Sequence, residues 1–237
     1  MKNCFVILIL LLLQYKAHAQ GAYFGMGYNT TFAGADELDF VINRYNETRN
    51  YLDMEMELPH FQDGFVLHIG IHAGAFLLDV GYTGRSAKVS ATGTDVTGTH
   101  QQRDFKTKMN SIDIGLGGVL AQNSDLAFAL GINTAMGNEK SQTRSGLSDD
   151  INTIDYLDID KSFTIAFEPF MQFIFSPTED LAFIIKPYYH MRLMKIDYAP
   201  VNAAMNPSTA GNDPFIMEGK QKGFGISVMM GSYSFSD

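Results

Sequence analysis

Along residues 181–196, LAFIIKPYYHMRLMKI, apolar and polar side chains alternate: Leu181, Phe183, Ile185, Tyr189, Met191 and Leu193 hold odd positions, and Lys186, His190 and Arg192 hold even ones. A period of two belongs to an extended strand whose two faces meet different media. The same period carries this segment to 197 and recurs in seven further stretches, at 22–32, 64–72, 75–89, 104–120, 125–136, 162–175 and 222–235. Each has the length of about 9–11 residues that a tilted strand needs to cross a bilayer. The connections alternate too. Ala73-Gly74, AQNSD (121–125) and SPTED (176–180) are short, while the other junctions exceed ten residues.

The two faces differ in bulk. One carries Phe24, Met26, Tyr28, Leu67, Ile69, Ile71, Phe76, Val80, Tyr82, Ile112, Ile114, Leu116, Leu130, Ile132, Phe163, Ile165, Phe167, Phe173, Ile226 and Val228; the other is small or polar, with Gly25, Gly27, Gly70, Gly81, Gly115, Gly117, Gly131 and Gly225. An eight-stranded barrel has an interior just wide enough for side chains to fill. The glycine-rich face fits it and the bulky face does not, so the bulky face must look outward, into lipid. The stretch FVLHIGIHAGAFLL (65–78) has the glycine spacing of a membrane helix, but its alternation and Asp79 favour strand, tight turn and strand.

The expected fold is all-β: an eight-stranded antiparallel transmembrane up-and-down barrel, with short periplasmic turns, long extracellular loops and one helix in the first of them. The start, MKNCFVILILLLLQYKAHAQ, reads as a signal peptide over residues 1–19: Lys2, an apolar run and the small-x-small Ala17-His18-Ala19. Residues 20–237 then form one barrel domain. They lack the single cysteine, Cys4, which excludes disulfide and thiolate chemistry there. Losing Lys2 and Lys16 and no acidic residue leaves 15 basic against 26 acidic residues, a formal charge of -11 where the full chain of 237 has -9. That balance argues against nucleic acid as a partner.

With the signal-like start, the eight alternating segments and the terminal GSYSF (231–235), the chain resembles the small OmpA- and OmpX-like outer-membrane barrels, in particular the outer membrane β-barrel proteins of Bacteroidota. The resemblance implies export to the outer membrane of a Gram-negative cell, with outer-membrane lipid, lipopolysaccharide and other envelope proteins as partners. GSYSF is similar to the family's insertion signal, but Ser236 and Asp237 follow its last aromatic. With no tryptophan, an interfacial aromatic belt must draw on Tyr23, Tyr28, Tyr82, Tyr189, Tyr198, Phe175 and Phe235.

By parity, Glu168, Lys186, His190, Arg192, His68, Asp79 and Asp113 point into the lumen. Enclosed ions are tolerable only when paired. Turn counting expects Glu168 opposite or diagonal to Lys186, His68 opposite Asp79, and Asp113 opposite Asn133. Such a network would fill the lumen in place of an apolar core; the alternative is a proton or solute path along His68, His72 and His190.

In the first loop, Leu38, Val41, Ile42, Tyr45 and Leu52 recur at helical spacing behind Asp36 as N-cap, with Asp39 at N3. Their stripe is either the underside of a lid or a docking face for another envelope protein. Asp149, Asp150, Asp155, Asp158 and Asp160 make the third loop acidic, without the spacing of a calcium loop. Ser86, Ser90, Ser111, His60 and His100 are the residue types a lipid A-modifying enzyme uses, but they stand in no motif of that chemistry. The reading is therefore a non-enzymatic envelope component without cofactor or metal, acting through its loops. A narrow pore or lateral path for small apolar molecules is the alternative.

Overall fold

The computed structural model describes residues 21–123, 125–178, 180–213 and 217–235. The expected signal peptide lies outside them, as do Ser236 and Asp237. The elements in chain order are β1 (Gly21–Gly34), α1 (Asp36–Glu47), β2 (Leu52–Met54), β3 (Phe61–Ala73), β4 (Phe76–Thr94) and β5 (His100–Gln122). Then come β6 (Leu126–Leu147), β7 (Leu157–Thr178), β8 (Leu181–Arg192), β9 (Ile196–Asp197), α2 (Ala199–Met205), β10 (Glu218–Gly219) and β11 (Lys222–Phe235). The eight long strands pair antiparallel with their chain neighbours, and β1 pairs with β11 from Gly21↔Phe235 to Gly34↔Lys222, which closes the ring. An up-and-down barrel results, in which each of the eight long strands is paired on both sides over its lower part.

Every face assignment made from the alternation holds. Phe24, Ile69, Ile114, Leu116, Leu130, Ile132, Phe173 and Val228 are exposed on the outer wall, while Asn29, His68, Asp79, Asp113, Glu168 and Lys186 are buried inside. Apolar surface in water is unfavourable by about 25 cal/mol per Å². A continuous outer band of such residues is therefore stable only where hydrocarbon replaces water. Tyr28 and Tyr82 are exposed as belt residues should be, and so is Phe175, but Tyr23 and Tyr198 are buried. Tyr23 shares the parity of the inward Gly25, and Tyr198 lies in the last loop.

The expected strand lengths, the end of the strand begun at Leu181 and the content of the last loop need correction. The strands run further beyond the membrane band than the alternation suggested, because β4, β5, β6 and β7 continue as polar hairpins. Pairing persists to Thr94↔His100 and Gln101↔Leu147. The loops at 95–99 and 148–156 are correspondingly shorter than ten residues. Backbone pairing needs no lipid-facing side, so these extensions lack the strong contrast that betrays the lower strands. The strand begun at Leu181 ends at Arg192, short of the expected 197. Finally, there is a second α-helix, α2 in the last loop. Its seven residues, opened by Pro200 in the first turn, offer only the Val201/Met205 pair as a periodic signal.

The first helix is capped one residue earlier than expected. Ala35 is the N-cap and makes no side-chain cap bond, while Asp36, Glu37 and Asp39 place negative charge in the first turn, where the helix dipole favours it.

Inward glycines make room for rings. A Cβ on Gly70 would lie 2.0 Å from the Tyr23 ring, and one on Gly225 would lie 2.2 Å from the Tyr188 ring. Gly225→Val should therefore destabilise the barrel by about 1–3 kcal/mol through overpacking. A lowered urea midpoint for loss of the folded electrophoretic form measures this; an unchanged midpoint would contradict the packing.

Candidate functional site: the lumen and its cap

The interior is built in three tiers. The lowest, at the short-turn end, is apolar: Val66, Leu77, Ile174, Ile184, Met229 and Tyr233 pack into one buried cluster with Tyr23, Phe170 and Tyr188. Here the expectation of an ionic filling throughout fails. These residues share the inward parity of the glycines, and the width spared by glycine on one strand admits a large side chain from its neighbour. His72 belongs to this floor, with Nδ1 2.7 Å from the Tyr233 hydroxyl.

The middle tier holds the ionic residues. Asp79 accepts from His68 Nδ1 at 2.7 Å and from Lys186 Nζ, and the Lys186 ammonium also lies 4.1 Å from the Phe170 ring centre. Glu168 Oε1 lies 2.7 Å from His190 Nδ1 and 3.7 Å from Arg85 Nη2, and Glu168 Oε2 accepts from Asn133 at 2.9 Å. Asp113 accepts from Thr83 at 2.5 Å and Ser111 at 2.8 Å, with His68 Nε2 at 3.8 Å. All seven residues assigned inward by parity are buried: six stand in this tier and Arg192 in the one above.

Their pairing differs from the turn counting, because each turn is centred later than assumed. The β7–β8 register is Phe167↔Met191 and Phe173↔Ile185, which brings Glu168 to His190 and leaves Lys186 free to reach Asp79. Strand β7 continues through Ser176-Pro177-Thr178 instead of turning there, and the Ser176 hydroxyl bonds the Thr178 and Leu181 carbonyls to fasten the turn. At the β3–β4 turn, Gly74 takes a positive φ of 61° and Ala73 pairs with Phe76. His68 thus faces Gly81, and Asp79 lies diagonally within reach. Asn133 faces Gly115 instead of Asp113 and serves Glu168.

Two charged members of the interior were missed. Arg85 Nη1 donates to Thr31 at 2.7 Å and Tyr188 at 3.1 Å, and Glu139 binds Arg192. Arg85 continues the inward series Asp79, Gly81, Thr83 and could have been found by parity. Glu139 lies past residue 136, where the alternation in β6 loses contrast. Between the side chains of the middle tier remains a cavity of about 10 Å³, room for about one water molecule.

The top tier joins the wall to a folded cap. Arg192 donates to Gln221 at 3.0 Å and to the Tyr198 hydroxyl at 3.4 Å. Above it, Leu38, Val41, Ile42 and Tyr45 of α1 are buried with Met56, Val201, Met205 and Met217 against Val89, Ala91 and Phe105 of the barrel wall. The stripe on α1 is thus the underside of a lid and unavailable as a docking face. Loop-to-loop bonds lock the lid: Arg49 Nη2 to the Met205 carbonyl at 2.8 Å, and Asn206 Nδ2 to that of Val41 at 3.1 Å. Burial raises the Tyr45 and Tyr198 phenols above their ordinary range, although Arg49 and Arg103 oppose this at Tyr45 and Arg192 at Tyr198. On the outside of the cap, Phe40, Tyr51 and Met54 are exposed.

The other sequence candidates do not converge. Ser90 donates to Asp104 at 2.7 Å and Ser111 to Asp113, while His60 lies 2.7 Å from Asp39 and His100 3.0 Å from Thr94. Among the described residues no serine hydroxyl is hydrogen-bonded to a histidine, and no group of three or more His, Cys, Asp or Glu could hold a metal. Asp158 is engaged with Lys140 at 2.6 Å, and Asp160 accepts from Ser162.

No family model matches the chain, and no curated protein matches its sequence. Solved structures share its outline. Ail, the attachment invasion locus protein of Yersinia pestis, solved with the heparin analogue sucrose octasulfate, is 12% identical over 90% of this chain and 98% of its own, with a TM-score of 0.46. The outer membrane protein OprG of Pseudomonas aeruginosa is 10% identical over 92% and 98%, with a TM-score of 0.45. The outer membrane protease OmpT of Escherichia coli is 9% identical over 91% and 96%, with a TM-score of 0.42.

Proposed function

We propose that the protein is an integral outer-membrane barrel of a Gram-negative envelope, closed to passage and not an enzyme, whose extracellular cap is its working surface. It serves there as a structural or binding component, in contact with lipopolysaccharide and with other envelope proteins. The observation that carries this reading is the three-tier filling: an apolar floor, an ionic middle with room for about one water, and a lid locked over the mouth. The ionic residues Glu168, Lys186, His190, Arg192, His68, Asp79 and Asp113 act as a structural core on this reading. With the interior occupied, activity has to reside on the outside, where the cap exposes Phe40, Tyr51 and Met54. Kinship with the Bacteroidota barrels rests on the strand pattern and on GSYSF at 231–235.

Planar-bilayer recording of the purified protein tests the closure. No conductance steps are expected, either from the full chain or from a variant lacking residues 36–57, since the two lower tiers fill the lumen without the lid. Reproducible steps from the full chain would replace this reading with that of a pore. Pull-down from native membranes addresses the working surface. Partners retained by the full chain should be lost with residues 36–57, and retention undiminished by that deletion would move the surface elsewhere.

A further inference from the structure

On the outer wall just above the apolar band, the register aligns lysines with lysines. Lys108 of β5 lies directly opposite Lys140 of β6, and Lys140 directly opposite Lys161 of β7. One row higher, Lys88 of β4 faces Lys106 of β5. Like charges directly opposite on a sheet destabilise it, and three such pairs on one face of a chain that is acidic as a whole call for an anionic partner. With Arg144 they gather six of the chain's 17 basic residues. The carboxylates nearby neutralise them only in part. Asp104 lies 3.0 Å from Lys88 and 2.8 Å from Arg144, and Asp158 binds Lys140. Asp160 accepts from Ser162, and Asp63, opposite Ser86 at the edge of the lower row, accepts from Tyr28. Lys106, Lys108 and Lys161 make no salt bridge among the described residues; Lys106 lies 5.5 Å from the Tyr156 ring.

Height decides what the partner is. Lys108 stands four residues above Ile112, the last apolar residue of β5 on this face, with Asn110 between them. That is about 13 Å along the strand and about 10 Å along the membrane normal at the usual tilt. The polar layer of a bilayer extends roughly 5–7 Å past the hydrocarbon on each side, and a lysine stem can bend back toward it. The ammonium groups of Lys108, Lys140 and Lys161 thus reach the headgroups of the outer leaflet. We propose that this row binds the phosphate groups of a phosphorylated glycolipid headgroup in the outer leaflet, which fixes one face of the barrel against the lipid. This rests on the barrel reading above and adds the lipid chemistry and the residues.

The test is lipid retention by the full-length barrel in phosphatidylcholine nanodiscs containing equal minor amounts of diphosphoryl lipid A and its dephosphorylated form, read by native mass spectrometry. The wild type should retain the phosphorylated form preferentially. K108Q/K140Q/K161Q should lose that preference by about fivefold per lysine, while K108R/K140R/K161R keeps it. Since the glutamines remove like-charge pairs, the first variant should be no less stable than wild type in phosphatidylcholine alone. Equal retention of both lipids by the inserted wild type overturns the proposal, as does an undiminished preference in the glutamine variant. So does capture of a soluble sulfated glycan by the same lysines without any lipid preference. Failure of the wild type to insert into any disc would instead overturn the barrel reading on which the proposal stands.

Discussion

Asp79→Ala is expected to lower folding stability by about 3–5 kcal/mol, the cost of stranding a buried charge by removing its partner. Asp79 holds both His68 and Lys186, and all three side chains are buried in the middle tier. Without the carboxylate, the Lys186 ammonium keeps only the Phe170 ring face, which is worth far less than the desolvation it must offset. The double variant Asp79→Leu/Lys186→Met should regain most of the loss, because a buried pair replaced by apolar groups of similar volume is often neutral. Urea titration in lipid vesicles, followed by electrophoretic mobility of the folded form, gives both numbers. A single variant within about 0.5 kcal/mol of wild type would mean that Asp79 is not buried or not paired as described.

The part of the interior that was legible and the part that was not divide along one physical line. Which side of the wall a residue occupies depends only on parity. Period two therefore placed His68, Asp79, Asp113, Glu168, Lys186, His190 and Arg192 inside without knowledge of any turn. Which residue each one meets depends on register, and register depends on turns whose geometry leaves little trace. The positive φ at Gly74 and the Ser176 hydroxyl on two carbonyls moved the pairing at two hairpins. Glu168 consequently meets His190 instead of Lys186. Elements outside the lipid were harder still. Glu139 and α2 lie where both faces of the chain meet water or protein, and the contrast that marks a lipid-facing strand is gone.

The same line implies a second large effect, set by depth and not by residue type. Ile132 is exposed on the outer wall near the middle of the apolar stretch of β6, beside Leu116 and Pro169. Ile132→Arg should cost about 2–4 kcal/mol in lipid vesicles, the penalty for a cation near the bilayer midplane. Asn138→Arg is on the same strand and face, six residues nearer the extracellular side, and should cost no more than about 1 kcal/mol. In an ordinary water-soluble barrel both positions are surface sites, and both substitutions would fall within about 0.5 kcal/mol of wild type. The ratio of the two costs therefore reads the outward orientation of the bulky face independently of any change in the interior. If Ile132→Arg were as mild as Asn138→Arg, the apolar band would have to be covered by something other than hydrocarbon, and the lysine row above it would lose its headgroups.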